Sequence, residues 1–324
     1  MGKVNTMSNE TIYWHIPGIC YFGLVNHILL DAMQKYPSRF RDNYKIASCY
    51  GTFPGAIWNG GRNIIDGFSN KREVENIIKA YNSKGIPVRF TWTNVLLEEK
   101  HTYDTYCNMI MKAGDNGMNQ VLVNTPVLEE YIRREYPKYK IISSTTKRIL
   151  DADKLLAEID KDYFLVVLDY DLNHNDEIIQ KILPAAGRIE ILVNETCNAH
   201  CPKRVDHYRE ISRHQLEYDT NIQYPCWDPS PDKRTFAGCQ KRPSFMSVKD
   251  VEKYAEMGFR NFKIVGRGEG KEFLIDSYIY YLVKEDSQDF IRNHIMTTLM
   301  AASGQRPAPV RPSSQRMPIG PRMR

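Results

Sequence analysis

Short apolar runs alternate with amphipathic segments along the chain. We predict eight strands, at roughly residues 12–16, 45–50, 88–93, 120–124, 141–145, 164–169, 189–194 and 262–267. Runs such as FLVVLDY and IEILVNE are almost continuously apolar and bounded by polar residues, which is typical of strands covered on both faces. Amphipathic segments such as KREVENIIKAYNSKG and SVKDVEKYAEMG lie between them and end in glycine, a common helix stop. The alternation predicts βαβ units around a parallel sheet.

The number of strands favours one closed barrel. Eight strands alternating with helices over about 300 residues match a (β/α)₈ TIM-type barrel. An open doubly wound sheet would have about six strands and an early glycine-rich phosphate turn. The glycines after the second strand, in FPG and NGG, lack the GxGxxG spacing. We therefore predict a single α/β barrel domain over residues 1–303.

Two segments depart from the regular alternation. The connection between the seventh and eighth predicted strands spans roughly 65 residues and is polar and proline-rich, and such connections are uncommon unless they are functional. Residues 304–324 hold five of the 17 prolines and almost no large apolar residue. We expect this tail to be disordered.

The charge of the chain is concentrated in that tail. The formal net charge is +5, from 44 Lys and Arg against 39 Asp and Glu. Residues 304–324 carry five arginines and no acid, so the rest of the chain is formally neutral. The composition therefore gives no strong electrostatic case for RNA binding by the barrel, although the tail is a candidate contact for an acidic partner. The sequence shows neither a membrane span nor a signal-type apolar stretch, and we expect a cytoplasmic protein.

Four of the seven cysteines lie close together in the sequence. Cys197, Cys201, Cys226 and Cys239 fall within 43 residues with the spacing C-x3-C-x24-C-x12-C. The first pair directly follows the seventh predicted strand, at the end where barrel enzymes place their active sites. Four converging thiolates can hold either a tetrahedral zinc ion or an iron–sulfur cluster. The dispersed spacing favours a 4Fe-4S cluster over zinc, with four unrelated buried thiols as the remaining alternative.

Polar residues at the predicted strand ends are the candidate substrate contacts. They are His15, Asn94, Asn124, Ser144, Asp169, Glu195 and Arg267. For each of them a loop cap or a backbone hydrogen bond is the alternative role. Arg267 stands out because a guanidinium suits a carboxylate or phosphate. Lys263 is predicted to point into the barrel, either toward a substrate or into a buried ion pair.

Two loops add further candidates. Trp58, Asn59 and Arg62 lie in WNGGRN, a glycine-containing loop that could fold over a ligand or form a plain turn. Lys203 and Arg204 follow the first cysteine pair and could offset the charge of an anionic cluster; solvated loop charges are the alternative.

At this point the motifs resemble a known family. The strand-end CNAHC, the two later cysteines and the segment MSVKDVEKYAEMGFRNFKIVGRGEG look like the collagenase-like peptidase family U32. Members of that family typically close with a strand reading KIEGR, which here is KIVGR at residues 263–267. The similarity extends to GIPVRFTWTNVL and to GMNQVLVNTPVLEEYIRREYPKYKIISSTT, and it covers roughly residues 10–285.

The resemblance implies an activity as well as a fold. Family members with a four-cysteine 4Fe-4S cluster take part in oxygen-independent hydroxylation of ubiquinone precursors or of pyrimidines in RNA, with prephenate as the hydroxyl source in some branches. A small aromatic or RNA substrate and a second family subunit are the partners that this implies. The alternatives are a zinc-stabilised binding or scaffold subunit and a peptidase, for which the chain has neither HExxH nor GxSxG. Val265 replaces the acidic residue of KIEGR, which leaves the substrate open.

Overall fold

The strands close into a barrel, as the sequence predicts. The computed structural model describes residues 10–62, 64–221 and 230–303, and its parallel strands pair in the order β1 to β8, with β8 returning to β1. The strands are β1 Ile12–Pro17, β2 Tyr44–Gly51, β3 Val88–Trp92, β4 Gln120–Val123, β5 Lys140–Ser143, β6 Leu165–Val167, β7 Ile189–Leu192 and β8 Asn261–Lys263. All eight predicted strands are confirmed. β8 is shorter than predicted, so residues 264–267 lie beyond its end.

Helices connect the strands on the outside of the barrel. They are α1 Gly23–Lys35, α2 Lys71–Asn82, α3 Glu99–Thr102, α4 Thr105–Gly114, α5 Pro126–Glu135, α6 Ala152–Ile159, α7 Asp176–Ile182, α8 Arg204–Glu217, α9 Phe236–Cys239, α10 Val248–Glu256, α11 Lys271–Leu282 and α12 Gln288–Ala302. The long β7–β8 connection carries α8, α9 and α10. The predicted disordered tail and Cys226 lie outside the described residues. No helix in the described ranges has the length and apolarity needed to cross a bilayer.

Local signals in the sequence account for the helix boundaries. α2 begins at a capping box in which the Asn70 side chain accepts from the Glu73 backbone N–H and Glu73 accepts from the Asn70 N–H (3.0 and 2.9 Å). The predicted glycine stop after α10 is confirmed at Gly258, whose φ of 104° disfavours any residue with a side chain. Side-chain capping and a glycine stop thus fix where these two helices begin and end.

The apolar side chains form two layers. The larger core, which we call the outer core, fills the space between strands and helices. There Trp14 packs its ring against Tyr44, Phe262 and Tyr281 at centroid distances of 5.4 to 5.7 Å. A smaller cluster lies inside the barrel near its carboxyl end: Leu122, Ile142, Leu165, Val167, Tyr170, Leu192 and Val265. Residues alternate between the two cores along a strand, because successive side chains point to opposite faces. This alternation also brings polar side chains into the barrel interior.

Candidate functional site at the carboxyl end of the barrel

A cavity of about 60 Å³ opens at the carboxyl ends of the strands. It is lined by Tyr50, Gly61, Arg62, Thr91, Thr93, Leu122, Ser144, Thr145, Thr146, Leu192, Glu195, Tyr208, Lys263, Val265 and Arg267. Three cationic side chains, one carboxylate and several hydroxyl groups therefore meet in one place. We call this cavity the mouth cavity.

Arg267 presents a guanidinium to the mouth cavity with neutral partners only. Its Nη1 donates to Asn59 Oδ1 (3.1 Å) and to Thr91 Oγ1 (2.8 Å), and the guanidinium carbon lies 5.7 Å from the centre of the Tyr50 ring. Within the described residues, no carboxylate forms an ion pair with it. Burial lowers the pKa of Arg267 to about 10, so it stays charged at neutral pH. A partly buried cation without a counter-ion favours an anionic ligand.

Arg62 is neutralised by a carboxylate from the β7 side of the cavity. Its Nη2 lies 3.3 Å from Glu195 Oε1, and its Nε donates to the Arg267 carbonyl (3.3 Å). Burial alone would lower the pKa of Arg62, but the negative charge of Glu195 outweighs it and raises the pKa. The same Glu195 oxygen accepts from the Cys197 backbone N–H (3.1 Å), which ties the first cysteine to the rim of the cavity.

Below the mouth cavity, four ionisable side chains from four strands meet in the barrel interior. Glu190 is fully buried and pairs with Arg89, which also donates to Gln120 Oε1 (2.8 Å) and to His15 Nδ1 (3.0 Å). The Lys263 Nζ lies 3.5 Å from Glu190 Oε1, and His15 Nε2 lies 3.4 Å from Glu190 Oε2. We call His15, Arg89, Glu190 and Lys263 the interior cluster. Glu190 is the one carboxylate of this cluster, and it contacts two cations, Arg89 and Lys263.

Burial and neighbouring charges shift the pKa values of three side chains in the interior cluster, those of Lys263, Glu190 and His15. Burial lowers the pKa of Lys263 to about 8, and Arg89 and Arg267 lower it further against the opposing effect of Glu190. Burial alone would raise the pKa of Glu190, but Arg89 and the other cations outweigh it, and the pKa falls to about 2. Burial, helped by Arg89, lowers the pKa of His15 to about 3. At neutral pH the cluster thus contains a neutral imidazole and a lysine that gives up its proton easily.

The low pKa of His15 predicts an acid-sensitive fold. Unfolded histidine titrates near 6.5, so the unfolded state binds this proton first as the pH falls. The stability contributed by His15 is therefore complete above pH 6.5 and is lost below it, by up to about 1.4 kcal/mol per pH unit. Urea unfolding at several pH values between 6.5 and 5 should show a shallower loss for His15→Gln than for the wild type. Equal slopes would contradict the burial of a neutral His15.

The structure brings four of the eight predicted substrate contacts to the mouth cavity: Ser144, Glu195, Lys263 and Arg267. Asn94 is fully buried and donates to the carbonyls of Ile57 and Ser212 (2.9 and 3.1 Å), so its amide serves the loop structure. Asn124 does not line the cavity itself, but its side chain donates to Oγ1 of Thr146 (2.9 Å), which does. His15 lies inside the barrel, because β1 continues to Pro17 beyond it.

The WNGGRN loop supplies two side chains to the site. Asn59 is fully buried and bridges Arg267 and the carbonyl of Arg62, to which its Nδ2 donates (2.6 Å). Trp58 is buried in the outer core and donates to the His101 carbonyl (2.7 Å). The loop therefore positions both arginines, while its tryptophan has a packing role.

The loop after β7 is fixed by a buried ion network. Asp171 accepts from Arg148 (2.8 Å) and Arg204 (3.0 Å), and it also accepts from the His200 backbone N–H (2.9 Å). Arg148 pairs in addition with Asp169 at 2.6 Å. Arg204 was a candidate for offsetting the charge of an anionic cluster. It is only 3% exposed, and its charge is already paired with the Asp171 carboxylate.

Three of the four clustered cysteines, Cys197, Cys201 and Cys239, are among the described residues and belong to the β7–β8 connection. Cys197 packs against the apolar cluster inside the barrel, and Cys239 is fully buried in the outer core with its thiol donating to the Glu195 carbonyl (3.6 Å). Burial, followed by the charge of Glu195, raises the pKa of the Cys239 thiol, so it is neutral here. Among the described residues, no three His, Cys, Asp or Glu side chains are grouped to hold a metal ion. The described cysteines do not form a ligand set by themselves.

Sequence reasoning missed several residues of the site. Arg89 and Glu190 lie within the short strand sequences VRFTW and IEIL, where an isolated charge does not reveal its partner. Tyr50 and Thr91 line the cavity from β2 and β3 and appeared in the sequence as ordinary strand residues. The available signal was the presence of charges in strands otherwise buried on both faces.

A larger cavity lies at the opposite end of the barrel. It has a volume of about 360 Å³ and is lined in part by Ile12, Arg41 and Tyr44 near the amino ends of β1 and β2. TIM-type barrels carry their active sites at the carboxyl end, built from the βα loops. The mouth cavity also holds the convergent charges, and we therefore place the candidate site there despite its smaller volume.

A closed parallel barrel with a polar cavity at its carboxyl end defines this chain as a TIM-type α/β barrel protein. No family model matches the chain. It is 28% identical over 110 residues to the uncharacterized protease MJ1657 of Methanocaldococcus jannaschii, a match that covers 33% of this chain and 32% of that protein. The chain thus spans about a third of the length of the curated relative it matches.

Two solved structures are also similar. The U32 peptidase Mk0906 superposes with a TM-score of 0.49 at 15% identity, covering 80% of this chain and 94% of that one. The Bacillus cereus spore cortex-lytic enzyme SleL gives a TM-score of 0.36 at 10% identity, covering 84% and 73%. The first of these two structures is described as a peptidase of family U32, the family that the sequence motifs resemble.

Proposed function

We propose that the chain is a U32-like enzyme that binds a small carboxylate substrate in the mouth cavity. The observation that carries this proposal is the Arg267 guanidinium, whose hydrogen bonds go to the neutral oxygens of Asn59 and Thr91. A guanidinium binds a carboxylate through charge-assisted hydrogen bonds, which are roughly twice as strong as neutral ones.

The charge balance of the surroundings supports the same substrate class. Arg62 is paired with Glu195, and Glu190 must serve both Arg89 and Lys263. The mouth cavity and the interior cluster together therefore have more cationic than anionic groups. A bound carboxylate would neutralise this excess, while the hydroxyl groups of Thr93 and Ser144 supply neutral hydrogen-bond partners.

The size of the cavity restricts the substrate. At about 60 Å³ it is far below the roughly 300 Å³ at which ordinary ligand pockets begin. It suits a compound of a few heavy atoms or the carboxylate end of a larger one. The resemblance to family U32 implies oxygen-independent hydroxylation with prephenate as hydroxyl source in some branches. Prephenate carries carboxylates, and we propose it as one substrate, with a quinone precursor or an RNA base as the acceptor.

Calorimetric titration with pyruvate and prephenate tests the proposal. We expect saturable binding of both, and no binding of methyl pyruvate, which keeps the 2-oxo acyl group of pyruvate but is an uncharged methyl ester. Binding should weaken as salt is added, because the attraction is between charges. Equal binding of pyruvate and its ester would overturn the proposal. Cleavage of casein by the purified protein, without carboxylate binding, would instead favour the peptidase alternative.

A second candidate function adds a 4Fe-4S cluster on Cys197, Cys201, Cys226 and Cys239. It is favoured by the contact of the Cys239 thiol with the carbonyl of Glu195, two residues before Cys197. Cys201 follows on the same loop, and Cys226 lies outside the described residues. Ligation would require Cys239 to lose its proton, since thiolates are the ligands of such clusters.

Anaerobic purification with iron, sulfide and zinc quantified together tests this second candidate. We expect iron and sulfide in equal amounts, lost when Cys197 and Cys239 are both replaced by serine and retained when Cys107 is replaced. Cys107 is a matched control because it is buried on α4. One zinc and no iron would favour the zinc-stabilised scaffold.

A further inference from the structure

We propose that Lys263 is a nucleophile that forms an imine with a 2-oxo acid held by Arg267. This inference rests on the proposed function, because it assumes that the carboxylate binds in the mouth cavity. It goes further in naming both the covalent residue and the chemical class of the ligand, a carbonyl group directly next to a carboxylate.

The geometry places an amine and a carboxylate receptor side by side. Lys263 is the last residue of β8 and lines the mouth cavity, although its side chain is only 7% exposed. Its Nζ lies 4.3 Å from the centre of the Tyr50 ring, and the Arg267 guanidinium lies 5.7 Å from the same ring. Both cations therefore lie next to the same ring, and a ligand whose carboxylate contacts Arg267 can place its adjacent carbon in the part of the cavity that Lys263 lines.

The surroundings also favour the neutral, reactive form of this amine. The only carboxylate within 4 Å of Nζ among the described residues is Glu190, whose other oxygen is taken by Arg89. Burial and the positive charges of Arg89 and Arg267 act against protonation, and they bring the pKa of Lys263 to about 8. Lysines activated for imine formation in enzymes are typically desolvated or placed near another cation. Lys263 meets both conditions.

The reaction balances without an oxidant, a reductant or a further group. The lone pair of the neutral amine adds to the ketone carbon, and the C=O bond becomes a C–O single bond in a carbinolamine. One N–H proton moves to the former carbonyl oxygen as the carbinolamine forms, and the second leaves with that oxygen as water, so that the C–O bond breaks and the C=N bond forms. Where Lys263 begins protonated, one proton goes to solvent first. Hydrolysis reverses each step.

Borohydride trapping with pyruvate as the probe tests the inference. The reagent reduces an imine to a stable secondary amine, which peptide mass mapping assigns to a residue. At neutral pH we expect about tenfold more adduct on Lys263 than on Lys71, which is 73% exposed and has no burial to activate it. Adduct on Lys263 should rise as the pH rises through about 8. Adduct on exposed lysines alone would overturn the inference.

Two variants and a second probe separate this inference from the proposed function. Lys263→Arg keeps the cation next to Glu190 and has no primary amine, so it should remain folded in urea titration and lose the adduct. Propanal has a carbonyl but no carboxylate. Its trapping on Lys263 should fall only modestly in Arg267→Met, because one of the charges that lower the pKa of Lys263 is lost, whereas pyruvate trapping should fall about tenfold or more beyond that. If calorimetry shows pyruvate binding and no adduct forms on Lys263, the imine is wrong while the proposed function stands. If propanal labels Lys263 but pyruvate does not bind, the carboxylate site is wrong.

Discussion

Replacing Glu190 by alanine is expected to lower the free energy of unfolding by about 3–5 kcal/mol, the cost of leaving a buried charge without its partner. Glu190 is fully buried and is the carboxylate that both Arg89 and Lys263 contact in the barrel interior. Without it, Arg89 keeps its charge in an environment that cannot hydrate it. Lys263 can escape the same penalty by losing its proton, which its lowered pKa already favours.

Urea unfolding of matched variants isolates this effect. Glu256→Ala removes an exposed acid on α10 and should change stability by less than about 0.5 kcal/mol. The double replacement Arg89→Leu with Glu190→Leu should cost less than Glu190→Ala alone, because the cation that remains, Lys263, can lose its proton. A loss below about 1 kcal/mol for Glu190→Ala would mean that the interior cluster is hydrated, contrary to the burial described above.

Replacing Arg267 by methionine is expected to weaken pyruvate binding by about 10- to 100-fold. Charged hydrogen bonds contribute about 1.5–3 kcal/mol each, and about 1.4 kcal/mol corresponds to a factor of ten in affinity. Methionine preserves the apolar length of the side chain, so the packing against Tyr50 should change little. Calorimetric titration of the wild type and the variant gives the ratio directly.

Two further arginine variants control for charge and folding. Arg267→Lys keeps a positive charge without the planar fork and should bind with intermediate affinity. Arg292→Met removes an arginine of α12 that pairs with Asp276 and does not line the mouth cavity, so binding should be unchanged. Full affinity in Arg267→Met would show that the carboxylate is bound elsewhere.

The fold could be predicted because each strand carries its own signal. Short apolar runs and helical periods are local properties, and eight repeats of them are sufficient to indicate a barrel. The inward direction of Lys263 also followed from alternation along β8, and the structure confirms it. Alternation does not reveal how far along the barrel axis a side chain lies. His15 lies inside the barrel because β1 extends beyond it, to Pro17. Arg267 reaches the mouth because β8 already ends at Lys263.

The interior cluster could not be predicted, because its contacts join residues far apart in sequence. Arg89 and Glu190 are 101 positions apart, and neither strand indicates the partner of its charged residue. The same limitation applies to the cysteines. Their spacing is visible in the sequence, but the positions of the thiols depend on how the β7–β8 connection packs, and Cys239 is buried against the outer core.

The central claim is that Arg267 binds the carboxylate of a small substrate in the mouth cavity. A crystal structure of the protein grown with pyruvate tests it most directly. The account predicts electron density for pyruvate at the carboxyl end of the barrel, with its carboxylate on the Arg267 guanidinium and its ketone carbon facing Lys263. Pyruvate found at the opposite end of the barrel, or a mouth cavity filled only by water under saturating pyruvate, would contradict it.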